Sequence, residues 1–271
     1  MESGKTAYTC VMTIAGSDSG GCAGIQADIK SISACGAYAA SVITATTAQN
    51  TQGVIDIHPI PIAHIDKQVE AVVSDIHFSA VKIGMLHSCE VIETVAKKLA
   101  EYLVTNIVLD PVMVATSGDR LINDNALNCL KAFLPQALLI TPNRMEAEIL
   151  IGEPINHANV EASAKAIGLT FKTAVFLKGG HLDEGSEEVT DVLYDYASDG
   201  IVVVKNPRIN TQNTHGTGCS LSSSIATFLS QGHDLASSVK QACDYINRAI
   251  DHGKDKVLGK GNGPINHFLQ A

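Results

Sequence analysis

The chain has 271 residues, of which 45% are hydrophobic and 17% charged, and its formal net charge is −9. This balance indicates a folded globule and argues against a disordered chain. An acidic chain without a basic run is poorly suited to nucleic acid or an anionic membrane surface, so we expect neither as a partner. No apolar run reaches the ~20 residues of a membrane span.

The seven cysteines are an odd number, and no two of them form a C-x-x-C pair. This pattern argues against a disulfide framework and against a zinc ribbon. The first residues also lack the charged and apolar regions of a signal peptide. We therefore expect a cytoplasmic protein in which most cysteines act as small buried hydrophobes.

Strand-like and helix-like segments alternate along the chain. Apolar β-rich runs predict strands, and apolar residues three or four positions apart predict helices. The predicted strands are 8–15, 40–46, 80–83, 106–109, 138–140 and 174–177, followed by a hairpin of 189–194 and 200–204. The predicted helices are 25–35, 62–74, 90–102, 126–133, 144–151, 160–168, 219–229 and 235–250. The alternation predicts one α/β domain over residues 1–271, with three α/β/α layers and a mostly parallel central sheet.

Unusual polar and glycine residues follow the predicted strands. In open parallel sheets, ligands bind at the carboxyl ends of the strands. We therefore expect the site among the residues at these ends, which are 16–18, 49–50, 84–85, Asp110, Asn143 and Lys178.

The segment 213–219 reads Asn-Thr-His-Gly-Thr-Gly-Cys and precedes an apolar helix. Its glycines allow successive backbone N–H groups to face one concavity, and the helix N-terminus adds partial positive charge. This is an anion hole suited to a phosphoryl group in transfer. Cys219 at the helix start is also placed for a lowered thiol pKa. On these residues alone, an ordinary loop with an inert buried thiol stays open as the alternative.

Two further segments carry candidate groups for a phosphate site. Asn143 and Glu146 are three residues apart at a predicted helix start, so they share a face and could hold a hydrated Mg²⁺. The alternative is a helix-start Asn beside an exposed Glu. Lys178 follows an apolar strand and could balance phosphate charge, although a lysine at such a position is otherwise simply solvated.

A glycine-rich turn, GSDSGGCAG at 16–24, follows the first predicted strand. No Gly-Lys-Ser/Thr follows it, so it is not a P-loop, and it does not fit G-x-G-x-x-G. Both absences argue against a P-loop NTPase and against a nicotinamide-dependent dehydrogenase.

Together these segments resemble the ribokinase-like superfamily and, more closely, the hydroxymethylpyrimidine/phosphomethylpyrimidine kinases of thiamine biosynthesis. The resemblance extends over nearly the whole chain, from the first predicted strand to the glycine-rich tail at 259–264. The matching stretches are TIAGSDSGGCAGIQADIK (13–30), ITATTAQNT (43–51), KIGML (82–86), LDPVMVATSGD (109–119), TPN..EAE (141–148), LKGGH (177–181) and NTHGTGC (213–219).

The resemblance implies an activity and a pyrimidine pocket. The family uses ATP to phosphorylate 4-amino-5-hydroxymethyl-2-methylpyrimidine and then phosphorylates the resulting monophosphate. Asp28 and Gln49 match the positions that hydrogen-bond the aminopyrimidine. The resemblance further implies a homodimer. Residues matching the lining of the pocket are Gly16, Met85 and Val112.

The resemblance also implies a phosphate site that uses Mg²⁺. Asp110 and Glu146 match the metal region, and residues 114–119 match a lid over the phosphates. Cys219 stands where sugar-kinase relatives carry an aspartate base. The ATP and phosphate region is matched by Asn143, Lys178, Thr214 and His215, and the anion hole by Gly216, Thr217 and Gly218.

Two residues depart from the family pattern. Cys22 places a side chain where the turn usually has Gly, and Thr47 replaces an aliphatic residue beside Gln49.

Two alternative functions are compatible with the same fold. A pyridoxal kinase of the cysteine-containing branch would carry a further cysteine in the lid, which 114–119 lacks. A non-catalytic ligand-binding protein would have no need of Cys219 or the anion-hole glycines.

Overall fold

The structure is a computed structural model that describes residues 6–113, 122–180 and 185–269. The strands in this part of the chain are β1 (Cys10–Asp18), β2 (Tyr38–Asn50), β3 (Gly53–Pro59), β4 (Ala80–Ile83), β5 (Ile107–Leu109), β6 (Leu139–Ile140), β7 (Ala174–Leu177), β8 (Glu188–Asp195) and β9 (Gly200–Pro207). They form one sheet in the order β3-β2-β1-β4-β5-β6-β7-β8-β9. Pairing is parallel from β2 to β7 and antiparallel at both edges, which confirms the predicted mostly parallel sheet.

Helices cover both faces of this sheet. They are α1 (Gly24–Ala34), α2 (Ile62–Val73), α3 (Cys89–Glu101), α4 (Asp124–Phe133), α5 (Arg144–Ile151), α6 (Val160–Phe171), α7 (Thr217–Ser230) and α8 (Leu235–Gly253). Apolar residues of α1, α7 and α8 share one buried cluster with Val11, whereas α2 to α6 share another with Met12 and Ile14. Successive side chains of β1 thus point to opposite faces. The three predicted layers are confirmed. No helix within the described ranges has both the length and the apolar composition needed to cross a lipid bilayer.

Strand β3 was not predicted. It pairs antiparallel with the end of β2, which extends to Asn50 and so is longer than the predicted 40–46. Val54, Ile55 and Ile57 are exposed on it, and its apolar residues do not alternate regularly with polar ones. An edge strand held mainly by main-chain pairing lacks the alternation that marks a half-buried strand.

The strand order reverses at β1, because later strands are added on both sides of it. The chain passes from β1 through α1 to β2 on one side, and β4 lies on the other side of β1. Such a reversal of strand order opens a crevice at the carboxyl ends of the strands, where ligands bind in open α/β sheets. The residues at the ends of β1, β2, β4, β5, β6 and β7 therefore meet at one edge, as predicted.

Cys89 and Cys129 form a disulfide in the structure. The expectation that the cysteines form no disulfide was wrong for this pair. Cys89 begins α3 and Cys129 lies in α4, and the two helices pack against each other. The residues are 40 positions apart, so their spacing in the sequence did not indicate that they meet.

Reducing this disulfide should destabilise the fold. The chain-entropy model predicts a loss of about 4 kcal/mol in the free energy of unfolding for a closed loop of 40 residues. The measurement is urea unfolding with and without a thiol reductant. Cys129→Ser should match the reduced wild type and should not respond to the reductant. Equal stability of the oxidised and reduced wild type would contradict the prediction.

Candidate active site

The floor of the crevice is built from the ends of β1 and β4. Gly16 lies so close to Met85 that a Cβ at position 16 would be 2.8 Å from the Met85 methyl carbon. The Met85 carbonyl accepts a hydrogen bond of 3.0 Å from the Thr44 hydroxyl, which fixes the backbone there. Val112 is half-buried, and its N–H donates to the Asp110 carbonyl at 2.8 Å. The predicted pocket residues thus lie along one edge of the sheet.

Gln49, at the end of β2, contacts His215 across this crevice. The Gln49 amide nitrogen lies 3.2 Å from His215 Nε2, and its oxygen lies 3.2 Å from the Thr47 hydroxyl. Burial lowers the pKa of His215, although Asp18 opposes the shift, so a neutral ring can accept from the amide. His215 was predicted in the ATP and phosphate region. The loop before α7 turns the ring toward Gln49, and a role of His215 at the phosphates stays a prediction.

The glycine-rich turn is tied together by Asp18. Its carboxylate accepts from the N–H groups of Gly20, Cys22 and Ala23 at 2.8, 2.9 and 2.8 Å. The Cys22 thiol is buried and lies 3.7 Å from the Gly20 carbonyl, while the Cys22 carbonyl lies against Gly216. The departure at Cys22 therefore affects packing within the turn and leaves its backbone hydrogen bonds in place.

Backbone N–H groups converge at the start of α7. Gly216 is the N-cap residue with φ +83°, and the Thr217 hydroxyl turns back to donate to the Thr214 carbonyl at 2.9 Å. No residue in the described ranges accepts a hydrogen bond from the N–H of Gly216, Gly218 or Cys219. The side chain of Thr214 is exposed beside this turn. These N–H groups are therefore available to an acceptor from outside the described chain, as the predicted anion hole requires.

An ion pair between a partly buried lysine and a buried carboxylate lies beside these N–H groups. Lys178 Nζ is 2.8 Å from Asp110 Oδ1, which also accepts from the Thr141 hydroxyl at 2.9 Å. A Cβ at Gly218 would lie 3.4 Å from Lys178 Nζ and 3.6 Å from Asp110 Oδ2. A side chain at 218 would therefore fill the space between the ion pair and the helix N-terminus.

Asn143 and Glu146 form a capping box at the start of α5. Asn143 Oδ1 accepts from the Glu146 N–H at 3.0 Å, and Glu146 Oε2 accepts from the Asn143 N–H at 2.8 Å. Glu146 is buried, which excludes the exposed-Glu alternative. Burial raises its pKa to about 7, with Asp110 adding to the shift while Lys178 opposes it.

Asp110 and Glu146 are two buried carboxylates that share one nearby ammonium, Lys178. Burial alone would lower the pKa of Lys178, but Asp110 and Glu146 outweigh it and raise the pKa, so the lysine stays charged. With both carboxylates ionised, two negative groups face one ammonium, so the site has more negative than positive charge. Oxygen donors with excess negative charge suit a hydrated Mg²⁺, so the residues present fit this ion.

Asp28 does not face the crevice. Its carboxylate accepts from Lys82 at 2.8 and 2.9 Å, from the Thr13 hydroxyl at 2.6 Å and from the Ser223 hydroxyl at 2.8 Å. A carboxylate offers about four acceptor positions, so these bonds occupy them all. Asp28 is also 0% exposed. The prediction that it hydrogen-bonds the pyrimidine is therefore wrong.

Cys219 is the third residue of α7 and lies between charged groups of both signs. Burial raises the pKa of its thiol to about 11, and Asp28 and Asp110 add to this shift. Lys82 and the N–H of Gly24 oppose it. The thiol pKa is raised and not lowered as predicted, because Lys82 and the Gly24 N–H do not outweigh burial and two carboxylates.

The comparisons with known proteins identify the family of this chain. The family model for phosphomethylpyrimidine kinase matches residues 18–266. The chain belongs to this kinase family. It is 45% identical to the hydroxymethylpyrimidine/phosphomethylpyrimidine kinase of Haemophilus influenzae, over 96% of this chain and 97% of that protein. It is 47% identical to the thiamine biosynthesis bifunctional protein ThiED of Geobacter sulfurreducens over 96% of its own length, but it spans only 52% of that protein.

Solved structures support the same family. Phosphomethylpyrimidine kinase of Clostridium difficile is 40% identical, with a TM-score of 0.78 over 89% of this chain and 99% of that one. Pyridoxal kinase of Bacillus subtilis, solved as an ADP complex, is 30% identical, with a TM-score of 0.86 over 96% of this chain and 98% of that one. The chain is therefore a phosphotransferase with a ribokinase-like fold.

Two buried charged residues near this site were not among the predicted ones. Lys82 is fully buried within β4, and Asp191 of β8 accepts from the Gly179 N–H at 2.7 Å, which holds the turn after Lys178. Burial raises the pKa of Asp191 to about 6, although the hydrogen bond from the Gly179 N–H and the charge of Lys178 both act to lower it. A charged residue inside an otherwise apolar strand is the signal that could have identified Lys82. The predicted lid at 114–119 lies outside the described residues.

Proposed function

We propose that the protein transfers the γ-phosphoryl group of ATP to 4-amino-5-hydroxymethyl-2-methylpyrimidine and then to the resulting monophosphate, as a step of thiamine biosynthesis in the cytoplasm. The observation that supports this best is the meeting of three groups of atoms. N–H groups at the start of α7 have no acceptor in the described chain, the Lys178–Asp110 pair lies next to Gly218, and Cys219 follows directly. Anion binding, charge balance and a proton acceptor are what phosphoryl transfer to an alcohol requires.

In the proposed reaction the chain mainly positions the reactants and stabilises charge. The N–H groups of Gly216, Gly218 and Cys219 bind the phosphoryl oxygens, where charge develops in the transition state. Lys178 is held toward the same oxygens by Asp110 and by the turn that Asp191 fixes. Mg²⁺, held by Asp110 and Glu146 when bound, would offset charge on the β- and γ-phosphates. Asn143 shapes this region by capping α5, and Cys219 takes the proton of the attacking alcohol.

The choice of pyrimidine over pyridoxal is attributed to Gln49. Pyridoxal kinases are among the structural relatives, so a pyridoxal activity is the second candidate. A primary amide offers a donor and an acceptor side by side, which pair with the ring nitrogen and exocyclic amine of an aminopyrimidine. Thr47 and His215 already orient both ends of the Gln49 amide.

An assay of ADP release tests this function. The wild type should turn over the aminopyrimidine alcohol with a higher kcat/KM than pyridoxal. Gln49→Leu should raise the KM for the pyrimidine by about ten-fold or more, because one lost buried pairing costs roughly 1–3 kcal/mol. The exposed Gln52→Leu in the neighbouring turn is the matched control and should leave the KM unchanged. A preference for pyridoxal would replace the proposal with the second candidate.

The homodimer is part of the same proposal. Val54, Ile55 and Ile57 are exposed on the edge strand β3, with Ile55 at 77%. An exposed apolar edge strand is a surface that proteins usually cover. A second copy of this chain is the proposed cover.

A further inference from the structure

The structure contains a fully buried ion pair directly behind the candidate base. Lys82 Nζ binds both carboxylate oxygens of Asp28 at 2.8 and 2.9 Å, and both side chains are 0% exposed. Burial opposes the charge of Lys82, but the carboxylate of Asp28 outweighs it and raises the pKa of the ammonium. The desolvation of both ions is expensive, so this pair is a candidate for a role beyond stability.

Two equally spaced pairs of residues connect this ion pair to Cys219. On α1, Gly24 and Asp28 are four residues apart, and on the adjacent α7, Cys219 and Ser223 are four residues apart. Residues four apart lie on the same helix face. Asp28 accepts from Ser223 across the two helices at 2.8 Å, so Gly24 and Cys219 face each other one turn earlier. There the Gly24 N–H favours the Cys219 thiolate. Cys219 is thus held one helical turn above Asp28.

Strands β1 and β4 close the lower level of this arrangement. Thr13 donates to Asp28 Oδ2, and Lys82 bridges both oxygens. Space for the lysine depends on Gly84, since a Cβ there would be 2.8 Å from Lys82 Nζ. Within the described ranges, Asp28 is the only acceptor for Lys82, so two of its three N–H bonds are used. Cys219 and Asp110 are the other acidic groups whose charge acts on Lys82.

We propose that Lys82 is a positioning residue for the transfer reaction and that it stabilises the Cys219 thiolate. Asp28 holds Lys82 in place and partly offsets its positive charge. This rests on the proposed function, in which Cys219 is the base. The charged groups that face Cys219 are Lys82 from β4, Asp28 from α1, Asp110 after β5 and Lys178 after β7. Of these, Lys82 is the cation that most favours the thiolate.

Opposite effects of two substitutions test the proposal. The measurement is the rate of Cys219 alkylation by iodoacetamide between pH 6 and 10, followed on the Cys219 peptide by mass spectrometry. Lys82→Met should slow alkylation at pH 8 by about ten-fold, because an opposite charge is removed. Asp28→Asn should speed it by a similar factor, because Lys82 then acts unopposed. Effects in the same direction, or none, would overturn the proposal.

Two further variants separate charge from packing. Thr13→Val removes one hydrogen bond to Asp28 without changing any charge, so it should leave the alkylation profile of the wild type. Lys82→Met with Asp28→Asn removes both charges and provides a folded reference if a single variant does not fold. It should be alkylated faster than Lys82→Met and slower than Asp28→Asn, so a comparison with either single variant that folds suffices, and the opposite order would count against the proposal. Alkylation needs no turnover, so an inactive wild type would refute the proposed function and leave this test standing.

Discussion

Replacing Cys219 with alanine should lower kcat/KM for phosphorylation of the pyrimidine alcohol by about 10²–10⁴-fold, the usual contribution of a general base. Phosphorylation of the monophosphate should slow far less. The alcohol holds its proton tightly near pH 7, so its attack depends on a proton acceptor. The phosphate monoester has a second pKa of about 6 and is already an anion.

The pH dependence of the wild type should differ between the two steps in the same way. Burial raises the pKa of the Cys219 thiol to about 11, so only a small fraction is thiolate at pH 7. kcat/KM follows the ionisation of the free enzyme. For the alcohol it should therefore rise with pH through the neutral and alkaline range, by about ten-fold per pH unit. For the monophosphate no such rise is expected from Cys219.

Two variants make the test specific to Cys219. Cys219→Asp should recover part of the first step and flatten its rise with pH, since an aspartate is already ionised at pH 7. Cys243→Ala, at a buried cysteine in α8, is the matched control and should leave both steps unchanged. Equal losses of both steps in Cys219→Ala would mean that Cys219 shapes the anion hole and is not the base.

The residues at strand ends could be predicted because the rule that places them is local. A run such as Ala174–Leu177 indicates a buried strand, and in a parallel sheet its end lies beside the ends of its neighbours. Lys178, Asp110 and the glycines before α7 therefore meet as expected. The direction in which a side chain points could not be predicted in this way, because it depends on tertiary packing. His215 lies in the predicted loop, but only the tertiary packing turns its ring toward Gln49.

Asp28 shows why matching a motif did not give the right role. Its position in α1 follows from the helical pattern, but its partners come from β1, β4 and α7. Lys82 lies within a predicted apolar strand, so the sequence pattern did not indicate that Asp28 has a cation as its partner. A lysine flanked by buried strand residues needs a buried anion, and that requirement could have paired the two. The disulfide of Cys89 and Cys129 depends likewise on the packing of α3 against α4.

Gly216→Ala should lower kcat/KM for both phosphorylation steps by at least about 100-fold, the scale reported for losing one donor of an oxyanion hole. Gly216 has φ +83°, a conformation that alanine adopts only with strain. A Cβ at this position would also overlap the Cys22 carbonyl oxygen, so the loop before α7 must shift. The shift moves the N–H groups of Gly216 and Gly218 away from the phosphoryl oxygens. Both steps transfer the same γ-phosphoryl group, so both should suffer, unlike in Cys219→Ala.

Gly232, just beyond the other end of α7, provides the matched control. It has φ +88°, and a Cβ there would meet nothing within 4 Å. Gly232→Ala therefore carries the same backbone strain, about 1–2 kcal/mol of the free energy of unfolding, without displacing a neighbour. It should lose stability and keep its kcat/KM for both substrates. Steady-state kinetics and urea unfolding of the two variants separate these effects. If Gly232→Ala loses as much activity as Gly216→Ala, the loss reflects strain in α7. A Gly216→Ala enzyme that keeps wild-type rates would show that the N–H groups before α7 do not bind the phosphoryl group, because their positions depend on this glycine.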